Sequence, residues 1–151
     1  MLYNKPTMPE TASPLLVARA LITDNERILM VQRSHTDTHN AGLWEVPGGK
    51  VDDGEGIIEG LMRETHEETG LSIELVSPMA HVESRVIEDG KYAGRLHVSL
   101  FYVARRLSGI ATPSHEHEAA EWEFPHLAHA YDLTTPSRLA LASFRNIGLL
   151  S

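Results

Sequence analysis

The 151-residue chain contains no cysteine, which excludes disulfide bonds, thiolate metal sites and cysteine nucleophiles. It also lacks any apolar run near the ~18 residues that a membrane-spanning helix needs. Its first residues are polar and rich in proline, without the basic start and apolar segment of a secretory signal. These absences favour a cytoplasmic protein without a membrane partner, and we expect residues 1–13 to form a flexible lead-in.

Basic residues are also few, since 13 Lys and Arg stand against 21 Asp and Glu and give a formal net charge of −8. We find no Lys and Arg cluster large enough to grip a nucleic-acid backbone, so we expect no polymeric nucleic-acid partner. An acidic protein can still bind a small phosphate compound if a metal cation bridges the two. The charge therefore indicates a metal site rather than a polymer site.

Apolar patterning and turn residues predict strands, a helix, more strands and a closing helix. The length suits a single domain, which we place at residues 14–151. Asp24-Asn25-Glu26 predicts one hairpin turn and Asp89-Gly90 another, while Thr135-Pro136 predicts a helix start. The predicted strands are 15–23, 27–32, 43–46, 72–76, 81–87, 97–104 and 121–124, and the predicted helices are 56–69 and about 135–146. This order predicts an α/β fold with a mixed sheet between helices.

The first predicted helix carries an unusual number of carboxylates. Glu64, Glu67 and Glu68 lie three and four residues apart, so they share one helical face. Like charges at that spacing destabilise a helix by roughly 0.2–0.5 kcal/mol per pair. A solvated acidic face is the plainer interpretation. A bound Mg²⁺ or Mn²⁺ would instead offset the repulsion, because hard cations prefer oxygen ligands.

The surroundings of this helix favour the metal interpretation. Gly48 and Gly49 precede it and allow the backbone to approach a ligand. Gly60 costs roughly 1 kcal/mol relative to alanine inside a helix, which suggests that something bulky approaches this side. Arg63 lies beside the carboxylates, where Glu55 could hold it by an ion pair. The neighbouring face is predicted to meet the core, through Ile58, Leu61, Met62, Thr65 and Thr69.

The segment Gly49–Leu71 resembles the Nudix box of the MutT/Nudix hydrolases, G-x5-E-x7-R-E-U-x-E-E-x-G-U, in which U is apolar. The sequence meets all seven fixed positions, with Gly49, Glu55, Arg63, Glu64, Glu67, Glu68 and Gly70. Thr65 occupies an apolar position and should cost some packing. The stretches LWEVPGGK and EH…EWEF are also similar to the family, so the resemblance covers about residues 15–125.

The resemblance implies a Nudix-type α/β/α sandwich that hydrolyses a nucleoside diphosphate linked to another moiety, with Mg²⁺ or Mn²⁺ as cofactor. It implies metal ligation by Glu64, Glu67 and Glu68, with the Gly49 carbonyl as a further ligand. Glu55 and Arg63 are expected to brace the loop and helix, and Arg63 to orient a glutamate. The supporting glycines are Gly48 and Gly70.

A further carboxylate in this family often comes from a loop far downstream, and Glu116 is the candidate here. It stands in the segment His115-Glu116-His117-Glu118, and a solvated loop residue is the competing interpretation. Glu64, Glu67 and Glu116 all stay open as the general base. Four loop histidines are further ligand candidates, although such histidines are more often solvated or hydrogen-bonded: His35, His39, His115 and His117.

The sequence indicates the substrate only because the signatures of other substrate classes in the family are missing. Arg85 falls near the position where ADP-ribose members carry a proline, the tail SQPWPFPxS is absent, and Tyr92 lies late for a diadenosine-polyphosphate member. What remains resembles the small nucleoside-triphosphate pyrophosphohydrolases, which release a monophosphate and pyrophosphate. Candidates for base stacking are Trp44, Tyr92, Phe101 and Trp122.

Several alternatives stay open on the sequence. One is hydrolysis of ADP-ribose, a dinucleotide or a nucleotide sugar. Another is a nucleotide-binding regulator without activity, although such proteins typically lose box residues and this chain keeps them. A plain Ca²⁺ module fits poorly, because its ligands alternate along a loop. A homodimer is also left open.

Overall fold

A computed structural model describes residues 13–149 of the protein. Its strands are β1 (Leu15–Asp24), β2 (Arg27–Arg33), β3 (Trp44–Glu45), β4 (Gly48–Lys50), β5 (Ser72–Leu75), β6 (His81–Val86), β7 (Leu96–Ser108) and β8 (His117–Glu123). Its helices are α1 (Ile57–Thr69), a 3₁₀ helix (Pro125–Ala130) and α2 (Thr135–Asn146). None of the helices in this described part is long and apolar enough to cross a membrane.

All eight strands join one sheet, and its mixed character is as the sequence predicts. The main strand order is β3-β2-β1-β7-β5, and β4, β6 and β8 pair with β1, β7 and β2 respectively. The long central pair β1 and β7 is parallel, whereas the other pairs are antiparallel. The predicted α/β/α sandwich is confirmed, because the two long helices pack on opposite faces of this sheet.

The two faces have separate apolar cores, since successive strand residues point to opposite sides. Leu21 and Phe101 pack with Phe144 of α2 on one face. On the other face, Ala20 and Tyr102 pack with Leu61 of α1. Each helix therefore has a fixed position relative to the strands.

The predicted β1–β2 hairpin is confirmed, and its two strands separate beyond the turn, where the α1 carboxylates approach the sheet. The tight turn uses Asn25 and Glu26, both with positive φ, and Thr23 pairs with Ile28. Beyond the turn the strands separate. β4 then pairs with β1 and β3 pairs with β2, so the chain around Pro47 fills the gap between them.

Helix α1 starts after Gly56 and stops at Gly70, whose φ of 75° and bond to the His66 carbonyl form the C-terminal cap. Its core face differs from the prediction in two ways. Ile58 is 39% exposed. Glu68, expected on an exposed acidic face, is buried. The helix is therefore rotated so that one of its carboxylates points inward.

Other differences concern the ends of elements. Strand β4 was predicted only as the turn after β3, and β7 and β8 run longer than expected. Asp89-Gly90 lies inside a longer connection, which closes where Ile87 donates to the Arg95 carbonyl over 2.9 Å. Thr134, rather than Thr135, precedes the first residue of α2. The lead-in at 1–13 falls outside the described residues except for Ser13 and stays a prediction.

Candidate active site

Arg63 is the centre of the acidic cluster on α1. Its Nε and Nη2 donate to the two carboxylate oxygens of Glu55 over 2.8 and 3.0 Å. Hydrogen bonds from Arg63 and from the Asp52 backbone lower the pKa of Glu55 to about 2. The predicted Glu55–Arg63 pair is confirmed, and it ties the loop before α1 to the middle of the helix.

The same guanidinium also contacts two of the helix carboxylates. Its Nη1 donates to Glu64 Oε1 over 3.0 Å and to Glu67 Oε2 over 3.1 Å. Its Nη2 donates to the Lys50 carbonyl over 3.1 Å. These bonds support the expectation that Arg63 orients glutamates.

Glu64 packs directly against Gly49. A Cβ atom on residue 49 would lie 2.3 Å from Glu64 Oε2, so only glycine leaves room for this carboxylate. Burial raises the pKa of Glu64, Arg63 opposes that shift, and the charges of Glu67 and Glu116 add to it. The structure thus brings strand β4 and the helix carboxylates together.

Close packing also explains why residue 60 is a glycine. A Cβ there would lie 2.8 Å from Glu55 Oε1 and 3.2 Å from a methyl of Val51. The bulky neighbour expected from the sequence is therefore Glu55 with Val51, which reach the helix at its one internal glycine. This close contact holds Glu55 where it binds Arg63.

Glu68 reaches the sheet through the gap between β1 and β2. Its Oε2 accepts the backbone N–H of Gly48 over 3.0 Å. Burial raises its pKa to about 7, although Gly48, Arg19 and His117 all act to lower it. A carboxyl group that titrates near neutral pH therefore lies at the base of the acidic cluster.

A buried charge network, which the sequence does not predict, lies next to Glu68. Glu45 Oε1 accepts hydrogen bonds from Arg33 Nη1 over 3.1 Å and from His117 Nε2 over 3.2 Å, and its Oε2 lies 3.5 Å from Arg19 Nη2. Burial alone would raise the pKa of Glu45, but these three partners lower it to about 2. The stretch LWEVPGGK contains Glu45, yet nothing in the spacing of that stretch indicates its distant partners.

The downstream loop brings Glu116 towards α1. Its side chain is 63% exposed, and its charge reaches Glu64. Glu118 is already engaged, because its carboxylate accepts the His35 backbone N–H over 2.6 Å and lies 2.5 Å from His35 Nδ1. Of the two carboxylates in this segment, the structure favours Glu116 as the one available to the site.

The other candidate side chains have ordinary structural roles or line a cavity. Phe101 is buried in the core, Trp44 packs edge-to-face on Tyr131 with ring centroids 4.9 Å apart, and Trp122 packs against the core on the α1 side. Among the candidate histidines, His35 and His117 bind glutamates, the His115 side chain is 91% exposed, and His39 lines the cavity.

A cavity of about 780 Å³ opens beside β1, β6 and β7, next to the Glu45 network. Arg19, Arg85, His97 and Ser99 belong to its lining, and so does Tyr92. The ammonium groups of Lys50 and Lys91 lie 5.7 and 5.2 Å from the Tyr92 ring centroid. The cavity is large enough for a nucleotide-sized ligand.

The donor set of α1 suits a hard divalent cation, because it consists of carboxylate oxygens with Gly49 beside them. Glu64 and Glu67 are both bonded to Arg63. Over residues 13–149, no three acidic or histidine side chains are gathered closely enough to hold a metal in this arrangement. In this arrangement Arg63 balances the charge of these two carboxylates.

A sequence profile of the NUDIX domain matches residues 14–144. The chain belongs to the NUDIX family. It is 31% identical over 129 residues to a CTP pyrophosphohydrolase of Escherichia coli strain K12, covering 85% of this chain and 89% of that protein. It is 35% identical over 80 residues to Nudix hydrolase 6 of Arabidopsis thaliana, covering 52% of this chain but only 28% of the plant protein.

A solved structure gives the same family placement. The fold is similar to that of the MutT NUDIX hydrolase from Burkholderia pseudomallei, with a TM-score of 0.70 and 30% identity. The match covers 86% of this chain and 97% of that chain. The NUDIX fold therefore extends over nearly all of the described residues.

Proposed function

We propose that this NUDIX protein is a divalent-metal-dependent pyrophosphohydrolase that converts a nucleoside or deoxynucleoside triphosphate and water into a monophosphate and pyrophosphate. The observation that carries the proposal is the complete carboxylate set of α1, packed against Gly48 and Gly49. The E. coli relative supports it, since that protein is named for the same type of reaction on CTP and matches over most of both chains.

The residues that would hold Mg²⁺ or Mn²⁺ are Glu64, Glu67 and Glu68, joined by the Gly49 carbonyl and Glu116. A bound divalent cation neutralises phosphate charge and lowers the pKa of a bound water. Gly49 contributes by leaving space for the Glu64 carboxylate, and Gly48 by fixing Glu68 through its backbone N–H. The chain thus supplies positions and charges for phosphoryl transfer, which needs little covalent help from the protein.

The proton of the attacking water needs a carboxylate acceptor. Glu64, Glu67 and Glu116 are the candidates, and they differ in their surroundings. Burial raises the pKa of Glu64 above its ordinary value, which makes it a stronger proton acceptor than an exposed glutamate. Arg63 contacts both Glu64 and Glu67, and Glu55 in turn holds Arg63. The Glu55–Arg63 ion pair would therefore orient the carboxylates of the candidate bases.

The test is a substrate panel in Mg²⁺ with products separated by anion-exchange chromatography. It includes nucleoside triphosphates, oxidised deoxynucleotides, ADP-ribose, dinucleotides and nucleotide sugars, each also in excess EDTA. We expect monophosphate and pyrophosphate from a triphosphate, only when Mg²⁺ is present. Orthophosphate as the sole initial product would indicate a phosphatase. Faster hydrolysis of ADP-ribose, a dinucleotide or a nucleotide sugar would show that the proposed triphosphate substrate is wrong. Tight binding of a nucleotide without turnover would indicate a regulator.

A further inference from the structure

Three side chains on neighbouring strands form one wall of the 780 Å³ cavity: Arg19 on β1, His97 on β7 and Arg85 on β6. Arg85 and His97 are directly paired across β6 and β7. Burial, followed by the charges of Arg19 and Arg85, lowers the pKa of His97 and so disfavours a positive charge on its imidazole. Arg85 and His97 are thus neighbours in this wall, and Arg19 lies four positions further along the sheet, opposite Phe101 of β7.

The charge at the base of this wall is already balanced. Arg33 is bonded to Glu45 and to Asp37, and Arg19 lies against Glu45. Two guanidinium groups thus face two carboxylates. Arg19 and Arg33 therefore need no further anion, so a neutral polar group fits beside Arg19 better than a second phosphate.

Hydrogen-bond donors dominate the wall. Arg19 Nη1 is fixed by the Val46 carbonyl over 2.8 Å, which orients the rest of a guanidinium that lines the cavity. Within residues 13–149, the Arg85 guanidinium makes no hydrogen bond or ion pair. A guanidinium can only donate. A neutral ligand beside Arg85 must therefore offer acceptor atoms, and the same holds for the part of the ligand that faces Arg19.

The wall is continuous with the acidic cluster of α1. Arg19 pairs with Gly48 across β1 and β4, and Gly48 donates its N–H to Glu68. A nucleotide whose phosphates lie at the α1 carboxylates would thus have its nucleoside next to Arg19. This step rests on the proposed function.

We propose that Arg19, His97 and Arg85 bind the edge of a nucleobase that carries a ring carbonyl oxygen, and that they select such nucleotides over adenine nucleotides. A guanidinium pairs well with a carbonyl oxygen and an adjacent ring acceptor, as arginine does with O6 and N7 of guanine. Adenine presents an amino group in place of that oxygen, and donors would then face donors.

The test compares ITP with ATP, because the two purines differ in the 6-oxo against the 6-amino group. For the parent we expect kcat/KM to be at least ~10-fold higher for ITP, within the range of base discrimination by arginine. In Arg85→Met the ratio should fall at least threefold, mainly through a higher KM for ITP. The control is Arg105→Met, whose arginine pairs with Glu74 away from the cavity and should leave the ratio unchanged.

A second readout does not require turnover. Thermal shifts with IMP and AMP should show stronger stabilisation of the parent by IMP, and Arg85→Lys should weaken that stabilisation because a lysine cannot make the bidentate contact. Equal use of ITP and ATP together with equal shifts by IMP and AMP overturns the inference, and so does an Arg85→Met variant that slows both triphosphates alike. Absence of any hydrolysis by the parent contradicts the proposed function instead, and the IMP and AMP shifts still decide the inference.

Discussion

Gly48 donates its backbone N–H to Oε2 of Glu68, and this 3.0 Å bond joins strand β4 to helix α1. It places a buried carboxyl group beside Arg19 and the Glu45 network. The acidic helix therefore meets the cavity-lining Arg19 near one backbone amide.

Gly49→Ala should disable the protein without unfolding it. The new Cβ would lie 2.3 Å from Glu64 Oε2 and would displace that carboxylate. A shift of about 1 Å in a catalytic group costs roughly 10²-fold in rate, so kcat/KM should fall by that order. Gly56→Ala is the matched control, because its nearest neighbour is the flexible Glu59 side chain at 3.3 Å. Equal activity of both variants would show that Glu64 does not need its observed position.

Glu68→Gln should change how stability depends on pH in excess EDTA. The folded-state pKa of Glu68 is about 7, above its ordinary value of 4.5. The protonated Glu68 therefore contributes on the order of 3 kcal/mol to the free energy of unfolding. This contribution is fully present below pH 4.5 and is lost as the pH rises through 7. The variant should gain stability relative to the parent between pH 5 and 8, by urea unfolding.

The difference between those two proteins isolates Glu68, because His97 is present in both. The lowered pKa of His97 gives a contribution of opposite sign, lost as the pH falls. Glu59→Gln, at an exposed position in the first turn of α1, serves as the control. A pH-independent difference between parent and Glu68→Gln would contradict the assigned burial of this carboxyl group.

Thr65→Val should stabilise the protein. Thr65 is fully buried, and its hydroxyl is the one buried side-chain polar atom in the described residues without a hydrogen-bond partner. Such a group costs about 1–3 kcal/mol, and valine has nearly the same shape. The melting temperature should rise by about 2–4 °C or more with unchanged kcat. A lower melting temperature would show that the hydroxyl has a partner in solution, such as a water molecule.

Glu116→Gln should lower kcat by more than about tenfold, given the range of acid–base contributions. Glu118→Gln is the comparison in the same segment, since Glu118 is held by His35 and should affect the rate less. Both rates are measured at saturating Mg²⁺. If Glu118→Gln is impaired and Glu116→Gln is unchanged, the roles of the two carboxylates are reversed.

The sequence predicts most of this architecture because its signals are local. The periodic apolar residues of α1, the stop at Gly70 and the turn at Asn25 each act within a few residues. The box also specifies the Glu55–Arg63 contact, which spans only eight positions. Helix, hairpin and ion pair are consequently found where they are expected.

What the sequence does not reveal depends on distant partners. Glu45 meets His117 across 72 positions, and the inward turn of Glu68 depends on the Gly48 amide across the gap in the sheet. Strand β4 forms because β1 offers a free edge there, whereas Pro47-Gly48-Gly49 alone indicates a turn. The cavity wall likewise combines three strands, so no single motif marks it.

The most direct test of a divalent metal on the α1 carboxylates is a thermal melt of parent and Glu67→Gln in EDTA and in Mg²⁺. The Glu67 side chain is 57% exposed and contacts Arg63 through a surface ion pair. Such pairs contribute only about 0–1 kcal/mol to stability. Repulsion between Glu67 and the like-charged Glu64 offsets part of that contribution. In EDTA the two proteins should therefore melt within a few degrees of each other. Mg²⁺ should raise the melting temperature of the parent clearly more than that of the variant, because binding to the folded state stabilises it in proportion to affinity. An equal gain in both proteins, or a variant that is markedly less stable in EDTA, would contradict the metal site.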